Sequence, residues 1–398
     1  MPILLEEDLQ RPLPRMYRVR QQFDETRLED VAGTVRAEFA KPEIRALVKP
    51  GMRIAVGVGS RGIQNIYTIV ETTVNSLKEL GAEPFIVSAM GSHGGGTEEG
   101  QREVLAGYGI TEERLGVPVV TTVDTVYLGN CANGRPVWFD RAAYEADLIV
   151  PINRVKLHTD FVGPIQSGLC KMLVIGLGNH KGCSAVHEEA PEVFADAIEE
   201  TARLILQKAP VGFGIAILEN AYDKTYAVEA VPAEHLVERE KELVQIAKGN
   251  MPYIMLDEAD VIVCGAIGKD ISGAGFDPNI LGRSSVLKQF VLHIPRYQRL
   301  VLCDVTPASH GNGIGVGLFD VITKKVAEQL DLESMYANAI ACNCLGDASV
   351  PCTVDDEETA IRVALKCCRN IDRDHPRIIR IQNTLHLGEI EVSEALLD

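Results

Sequence analysis

The feature that most constrains the fold is a regular alternation between short β-branched runs and longer segments with helical spacing of apolar residues. Short apolar runs bounded by glycine or proline are typical of buried strands, whereas apolar residues at intervals of three and four are typical of helices. The predicted strands are 53–60, 84–90, 147–151, 211–218, 260–264 and 300–303, and the predicted helices are 65–80, 97–105, 193–207, 236–248 and 321–330. This alternation predicts an α/β fold with mainly parallel sheets covered on both faces.

The chain has 398 residues, a length typical of two or three domains. The clearest break lies in 247–257, where a helical segment gives way to Gly249, Asn250 and Pro252 before a new strand begins. The sequence therefore predicts two α/β domains, 1–252 and 253–398, with a cleft between them. Small ligands usually bind in such clefts and at the carboxyl ends of parallel strands.

The composition excludes several classes of protein. Apolar residues make up 46% of the chain and charged residues 24%, which is typical of a globular protein and not of a disordered or fibrous one. The net charge of −17 repels phosphate backbones, so nucleic acid is not an expected partner. Residues 1–20 lack the apolar stretch of a signal peptide, and no apolar run of membrane-spanning length occurs elsewhere. We therefore expect no membrane partner.

The ten cysteines form no paired Cys-x-x-Cys sets. Such scattered cysteines predict a protein of the reducing cytoplasm, without a disulfide framework or a zinc ribbon. Cys342, Cys344 and Cys352 lie close together in sequence. Their spacing leaves two interpretations open, a metal site or small apolar side chains buried in a core.

Glycine-bearing loops follow several of the predicted strands. The first contains Gly57, Gly59, Ser60 and Gly62, and the second spans 91–96. Glycine allows the backbone to approach a ligand closely, and a helix that starts after such a loop offers N–H groups to an anion. The first loop is not a dinucleotide fingerprint, because no acidic residue ends the next strand at the expected distance.

Histidines are concentrated in these loops. His93 lies in the second loop, His158 follows the strand at 147–151, and His180 and His187 come shortly afterwards. Imidazole is a common metal ligand and the side chain that titrates nearest to neutral pH. Several histidines at successive strand ends therefore predict a catalytic or metal-binding site.

The ordered set resembles the lactate racemase family, whose members use a nickel-pincer nucleotide. The residues that carry the resemblance are Arg61 after the first strand, Gly91, Ser92, His93 and Gly94 after the second, and the segment 156–187 with His158, Lys171 and His187. Their order and approximate spacing match the family's arginine, two histidines, cofactor-linked lysine and nickel-binding histidine. The match covers most of the first predicted domain.

The resemblance implies a role for each residue. His93 and His158 are expected to be the acid/base pair, one for each enantiomer of the substrate. Lys171 is expected to be joined covalently to the nickel-pincer nucleotide. His187 is the expected nickel ligand, because its distance from Lys171 fits the family better than that of His180, which is the alternative.

The remaining contacts follow from the same resemblance. Cofactor contacts are expected from Arg61, Ser60, Gly91, Ser92 and Gly94, and substrate contacts from Arg61, Lys269 and Asp270. Lys269 and Asp270 are equally well interpreted as a solvated turn. A later loop places Thr306, His310 and Asn312 after another strand, without an assigned role.

The sequence also departs from the family pattern. Val58 stands three positions before the arginine, where the family commonly has an acidic residue, and Gly168-Leu169-Cys170 precede the lysine. The interval from His158 to Lys171 is longer than usual. We therefore expect a substrate different from lactate, such as a larger or more polar 2-hydroxy acid.

These observations predict a cytoplasmic racemase or epimerase of a 2-hydroxy acid, with residues 1–252 binding the cofactor and carrying out catalysis, and residues 253–398 closing the cleft. A homo-oligomer is compatible with this interpretation. Two alternatives remain open. One is a lyase or hydrolase in which His93, His158 and His187 hold zinc or iron. The other is a non-catalytic protein that binds an acidic metabolite.

Overall fold

The computed structural model describes residues 4–60 and 62–397. These residues form two compact units, one of residues 25–251 and one of residues 4–24 together with 252–397. The division between Met251 and Pro252 lies one residue from the predicted boundary. The assignment of residues 1–252 to a single N-terminal domain is wrong for residues 4–24, which belong to the other unit.

The strands are listed here in chain order: β1 Met16–Arg20, β2 Arg53–Val58, β3 Glu83–Ser88, β4 Val119–Val120, β5 Thr125–Asn130, β6 Pro136–Asp140, β7 Leu148–Arg154, β8 Phe213–Glu219, β9 Thr225–Pro232, β10 Val261–Cys264, β11 Arg299–Leu302, β12 Val321–Thr323, β13 Cys352–Val354, β14 Ile378–Ile381 and β15 Glu389–Ser393. The six strands predicted from apolar runs correspond to β2, β3, β7, β8, β10 and β11. Their ends agree with the prediction to within three residues.

The α-helices are α1 Glu6–Gln10, α2 Val31–Ala40, α3 Pro42–Leu47, α4 Ile66–Glu79, α5 Glu98–Gly107, α6 Glu112–Leu115, α7 Arg141–Tyr144, α8 Leu169–Lys171, α9 Asn179–His187, α10 Phe194–Lys208, α11 Leu236–Gly249, α12 Pro278–Leu281, α13 Lys324–Gln329, α14 Leu332–Ala341 and α15 Glu357–Lys366. A π-helical turn, Met172–Gly176, follows α8 directly. The helices predicted at 65–80, 97–105, 193–207 and 236–248 correspond to α4, α5, α10 and α11.

The unit of residues 25–251 contains a six-stranded sheet in the order β4-β3-β2-β7-β8-β9. All neighbouring pairs are parallel except β8 with β9. Strands β2, β3 and β7 are almost entirely buried, because a parallel sheet is covered on both faces. The carboxyl ends of these three strands therefore lie along one edge of the sheet, where the glycine loops and His158 begin. A separate hairpin, β5-β6, was not predicted.

The other unit contains a seven-stranded sheet in the order β1-β15-β14-β10-β11-β12-β13. Strands β10 to β14 pair in parallel, whereas β15 pairs antiparallel with β14 and with β1. The register Met16↔Ser393 places the start of the chain on this sheet. This hydrogen-bonded pairing is the physical reason why residues 4–24 do not belong to the preceding domain, and local sequence patterns carry no signal for it. The prediction of an α/β fold with mainly parallel sheets is confirmed.

One predicted helix is partly wrong. Residues 321–330 were assigned to a helix, but Val321, Ile322 and Thr323 form β12 and only Lys324–Gln329 are helical. The three β-branched side chains are buried and pair in parallel with β11 and β13. β-Branched residues suit a pleated, buried surface, so tertiary pairing overrides the helical spacing here.

Among residues 4–60 and 62–397, no helix combines the length and the apolarity that crossing a membrane requires.

Candidate active site

Two loops at the carboxyl ends of β2 and β3 bring Ser60 and His93 together. The Ser60 hydroxyl is hydrogen-bonded to Nδ1 of His93, and the Tyr108 hydroxyl donates to the Ser60 carbonyl at 2.8 Å. His93 is exposed. The contact holds the His93 ring through Nδ1.

The His93 loop needs glycine at its start. Gly91 has φ of +60°, and a Cβ there would lie 3.0 Å from the Ile175 carbonyl oxygen. Its N–H donates to the Gly176 carbonyl at 3.0 Å, which ties the loop to the segment after Lys171. An L side chain at this position would therefore be strained by its backbone and crowded by its neighbour.

A buried glutamine supports the same loop from below. The Gln101 amide donates to the carbonyl oxygens of Gly91 at 3.2 Å and His93 at 3.4 Å, and it accepts from the Ser88 hydroxyl at 2.6 Å. Gln101 is completely buried on α5. Sequence analysis missed it, because one glutamine on a predicted amphipathic helix carries no signal.

His158 lies on a loop that closes on itself. The backbones of Lys156 and Ser167 exchange hydrogen bonds of 3.0 and 3.1 Å at the base of the loop. The buried Gln166 side chain accepts the His158 N–H at 2.7 Å. The Phe161 ring stacks on the imidazole, with centroids 4.2 Å apart and planes at 27°. The His158 ring is thus oriented by packing and by hydrogen bonds.

Both ring nitrogens of His158 have partners. Nδ1 accepts the backbone N–H of Asp160 at 3.0 Å, and Nε2 contacts the Lys171 amine. The two residues that the family resemblance assigns to base and cofactor attachment are therefore in direct contact, although thirteen positions separate them in the sequence.

A buried carboxyl group supports the helix that carries Lys171. The Glu240 carboxyl on α11 accepts the Cys170 N–H at 2.9 Å and lies against Gly168, where a Cβ would approach it to 2.6 Å. Burial raises the pKa of Glu240 to about 7, although hydrogen bonds from the backbone N–H groups of Cys170 and Leu169 oppose the shift. Glycine at 168 is thus required for the close approach of the Glu240 carboxyl group to the chain before Lys171.

His187 and Cys183 form a pair on α9. The His187 Nδ1 donates to the Cys183 carbonyl at 2.7 Å and lies 3.5 Å from the Cys183 sulfur. Burial disfavours the thiolate, but interaction with His187 outweighs it, so the pKa of Cys183 lies below its usual value. Burial also lowers the pKa of His187, but pairing with Cys183 outweighs it and raises that pKa. Because Nδ1 is engaged by a carbonyl, Nε2 is the nitrogen that can bind a metal ion.

Aromatic rings connect His158 with His187. Phe161 stacks on His158 and contacts Phe194 at 4.8 Å, and Phe194 meets the His187 ring edge-on at 5.2 Å. The positive charge of Lys171 also acts on His187. The Ser92 hydroxyl, next to His93, lies 3.9 Å from the Cys183 sulfur. The unit of residues 25–251 therefore gathers the three predicted histidines and Lys171 into one connected region.

His180 and Gly94 are further predicted site residues of this unit. His180 is exposed at the start of α9, and its neighbour Lys181 lies 4.9 Å from the centre of the Trp138 ring. Gly94 adopts φ of +64° at the end of the His93 loop. Arg61 lies outside the described residues.

Lys269 and Asp270 belong to the second unit. The Lys269 amine donates to the Gly273 carbonyl at 2.7 Å and to the Asn338 side chain, and Asp270 accepts from the Thr306 hydroxyl. His310 is exposed with φ of +47°. The Asn312 amide donates to the Asn338 side chain at 3.4 Å, so Asn312 and Lys269 share a partner.

The described residues, 4–60 and 62–397, contain no group of three or more His, Cys, Asp or Glu side chains that could hold a metal ion. This statement includes Cys342, Cys344 and Cys352, so the metal-site interpretation of that cluster is wrong. His93, His158 and His187 likewise do not form a metal-ligand set, although they lie in one region. None of the ten cysteines forms a disulfide in the described part of the chain.

Several supporting residues were not found by sequence analysis, namely Gln101, Phe161, Cys183, Phe194 and Glu240. Gln101, Phe194 and Glu240 reach the site from other helices, whereas Phe161 shares the loop of His158 and Cys183 shares the helix of His187. Cys183 offered the best signal, since it stands one helical turn before His187, but a lone cysteine is usually a buried apolar residue.

Comparisons with known proteins give one family model and similar folds. Residues 12–196 match the family model of the lactate racemase N-terminal domain. The fold is similar to that of the lactate racemase apoprotein from Thermoanaerobacterium thermosaccharolyticum, with a TM-score of 0.55 and 12% identity over 92% of this chain and 94% of that chain. A protein from Thermotoga maritima has a TM-score of 0.51 and 13% identity, over 83% of this chain and 85% of that one. No curated protein sequence matches this chain significantly.

Proposed function

Residues 12–196 match the family model of the lactate racemase N-terminal domain, and from this match we propose that the protein is a racemase or epimerase of a 2-hydroxy acid that uses a nickel-pincer nucleotide bound covalently to Lys171. The observation that carries the proposal is the contact of Lys171 with His158, in one region with an accessible His187. The resemblance assigns attachment, base and metal-ligand roles to these three residues.

The residues present fit such a cofactor. His187 offers Nε2 for a metal, and the described residues contain no group of three or more His, Cys, Asp or Glu side chains that could hold a metal ion by themselves. A single protein ligand suits a nickel ion whose other ligands come from the cofactor itself, because square-planar nickel needs only four. A site that held zinc by protein side chains alone would need three or four such ligands.

The proposed reaction inverts the carbon that bears the hydroxyl group. Either His93 or His158 removes the hydroxyl proton, and the same or the opposite imidazole returns a proton to the keto oxygen. The bound nickel-pincer nucleotide supplies the acceptor for the hydride of that carbon. Ser60 holds His93, and Phe161 with the Asp160 N–H holds His158. Two fixed bases provide one proton acceptor for each enantiomer.

The substrate carboxylate needs a cationic partner. We assign this role to Arg61, as the family resemblance implies, whereas the substrate contacts of Lys269 and Asp270 stay predictions from the sequence. Val58 replaces the acidic residue of the family pattern, so we propose a substrate larger or more polar than lactate. We further propose a cytoplasmic protein that functions without nucleic acid or membrane partners, and a homo-oligomer is compatible with this role.

The test is mass spectrometry of the intact protein produced together with enzymes that make the nickel-pincer nucleotide. We expect an adduct on Lys171, about one nickel ion per chain, and loss of the adduct in the Lys171→Ala variant. An adduct retained by Lys171→Ala would contradict the attachment site. Stoichiometric zinc without an adduct would favour a metal-dependent lyase or hydrolase. Binding of hydroxy acids without turnover by loaded protein would favour a binding protein.

A further inference from the structure

Helix α14 presents apolar side chains on two sides. Met335 and Ala339 are completely buried and belong to the core of the second unit. Leu332, Tyr336 and Ile340 stand four positions apart and are exposed, Ile340 to 69%. Successive positions on a helix are rotated by about 100°, so these three side chains form a second stripe beside the buried one. One apolar side of α14 therefore faces solvent.

The segment after α14 extends this exposed apolar surface. Asn343, with φ of +52°, reverses the chain at the end of the helix, and the Cys344 N–H donates to the Ala339 carbonyl at 2.9 Å. Leu345 follows this turn directly and is 64% exposed. The exposed side chains of this region, called here the α14 patch, are Leu332, Tyr336, Ile340, Leu345 and Val350. They are five of the twelve large apolar side chains that are exposed among the described residues.

The same stretch of sequence lacks exposed charge. Residues 334–354 contain one charged side chain, Asp347, and it is buried. A chain in which 24% of the residues are charged would average about five over this length. Charged residues are depleted at the buried centre of protein interfaces, where large apolar and aromatic side chains are enriched. The α14 patch therefore has the composition of an interface centre.

The exposed area is large enough for such a centre. A whole side chain of this size covers about 150–250 Å², so the exposed fractions of 44–69% in the α14 patch correspond to about 500 Å². One partner in an interface of standard size buries about 800 Å². The α14 patch thus supplies more than half of the area that one side of a stable dimer needs.

We infer that the α14 patch is an interface between two copies of this chain, in which α14 packs antiparallel against α14 of the second copy across a two-fold axis next to Tyr336. A two-fold interface uses the same surface of both copies. Leu332 and Ile340 stand four positions on either side of Tyr336. An antiparallel copy therefore brings Tyr336 against Tyr336 and Leu332 against Ile340, so the stripe is complementary to itself.

Charge favours a second copy over a partner of another class. The net charge of −17 makes two copies repel each other, so they associate most readily through a face without exposed charge. A basic protein would find no carboxylate on the α14 patch, and nucleic acid would find no cation there. Antiparallel packing also keeps the two Glu333 side chains about 9 Å apart along the helix axis, because each stands three positions before Tyr336. Association through α14 requires neither the cofactor nor the substrate.

The experiment is sedimentation velocity of the cofactor-free protein at concentrations between about 1 and 100 µM. We expect the wild type to sediment as a dimer. Tyr336→Glu and Tyr336→Lys should each sediment as monomers, because each variant places like charges at the axis and raises Kd about a hundredfold or more. An equimolar mixture of the two variants should restore the dimer, because glutamate then faces lysine across the axis.

Tyr127→Glu is the matched control. Tyr127 is 52% exposed, similar to Tyr336 at 45%, but it lies on β5 of the other unit. We expect this variant to remain a dimer. Asn338, which contacts Lys269, lies about 160° around α14 from Tyr336, so the variants at Tyr336 leave that contact in place. Circular dichroism and the melting temperature verify that each variant folds.

A wild type that remains a monomer at the highest concentration would overturn the inference and assign the α14 patch to a different occupant. A dimer that persists in Tyr336→Glu would also overturn it, because the interface would then lie elsewhere. Monomers in the mixture of the two Tyr336 variants would overturn the two-fold register. No nickel cofactor is present, so failure here is distinct from failure of the adduct experiment.

Discussion

Replacing Gly168 by alanine tests how the helix that carries Lys171 is held. A Cβ at position 168 would lie 2.6 Å from the carboxyl carbon of Glu240 and 2.7 and 2.8 Å from its two oxygens. The backbone at Gly168 is extended, with φ of 171°, so alanine meets no conformational strain there. The Glu240 side chain is completely buried and has to move. We therefore expect a purely steric effect that passes through Glu240.

Two contributions determine the magnitude. Moving the carboxyl group breaks its 2.9 Å hydrogen bond with the Cys170 N–H, which costs about 1–3 kcal/mol when a buried donor is left unpaired. Crowding a packed interior by one methyl group costs about 1–3 kcal/mol. Because the two overlap, we expect Gly168→Ala to lower the free energy of unfolding by about 2–4 kcal/mol.

The refuting measurement is a double-mutant cycle with Glu240→Ala. Without the carboxyl group the methyl has space, so Gly168→Ala should become nearly neutral and the coupling energy should exceed about 1.5 kcal/mol. Urea unfolding followed by the fluorescence of Trp138 reports on the correct unit, because Trp138 is the single tryptophan of the chain and lies within residues 25–251. Additive effects in the cycle would refute the steric reasoning.

Gly107→Ala is the matched control for this cycle. A Cβ at Gly107 meets nothing within 4 Å, and the residue ends α5 in the same unit. Alanine favours a helix over glycine by up to about 1 kcal/mol. We therefore expect Gly107→Ala to be neutral or slightly stabilising in either background.

Three further predictions follow from the site. The pKa of Glu240 rises from 4.5 to about 7 on folding, so the folded state loses stability as pH rises from about 4.5 to 7. The stability of Glu240→Gln relative to wild type, measured by urea unfolding, should therefore increase by about 2.5 kcal/mol between pH 5 and pH 8. A stability difference that stays constant over this range would contradict the pKa shift. Because His187 lowers the pKa of Cys183, His187→Gln should slow alkylation of Cys183 by iodoacetamide at pH 7, and equal rates would exclude the pairing. Ser60 holds the His93 ring. In enzyme that carries the cofactor, Ser60→Ala should therefore lower kcat about tenfold or more with little change in KM, because the base loses its orientation. A change confined to KM would contradict this role of Ser60.

Several features of the protein follow from local patterns alone. The runs from Arg53 and Pro84 are strands, and the helices at 65–80 and 193–207 form as their apolar spacing indicates. The break before Pro252 is visible as a change from helix to loop residues. The loops with His93 and His158 also follow from the sequence, since strand ends in a parallel sheet share one edge, whereas His187 lies on α9.

Other features depend on contacts between distant parts of the chain. The pairing of Met16 with Ser393 places the first strand on the second unit, and parallel neighbours draw Val321–Thr323 into a strand. No local pattern encodes such pairing.

The sequence by itself determined the alternation of strands and helices and the residue types available at the sheet edge, because both depend on local spacing. Only the tertiary structure decided that His158 contacts Lys171 and that the Glu240 carboxyl accepts the Cys170 N–H in the helix that carries Lys171. These contacts join residues that lie 13 and 70 positions apart in the sequence, so no local spacing of residue types can encode them.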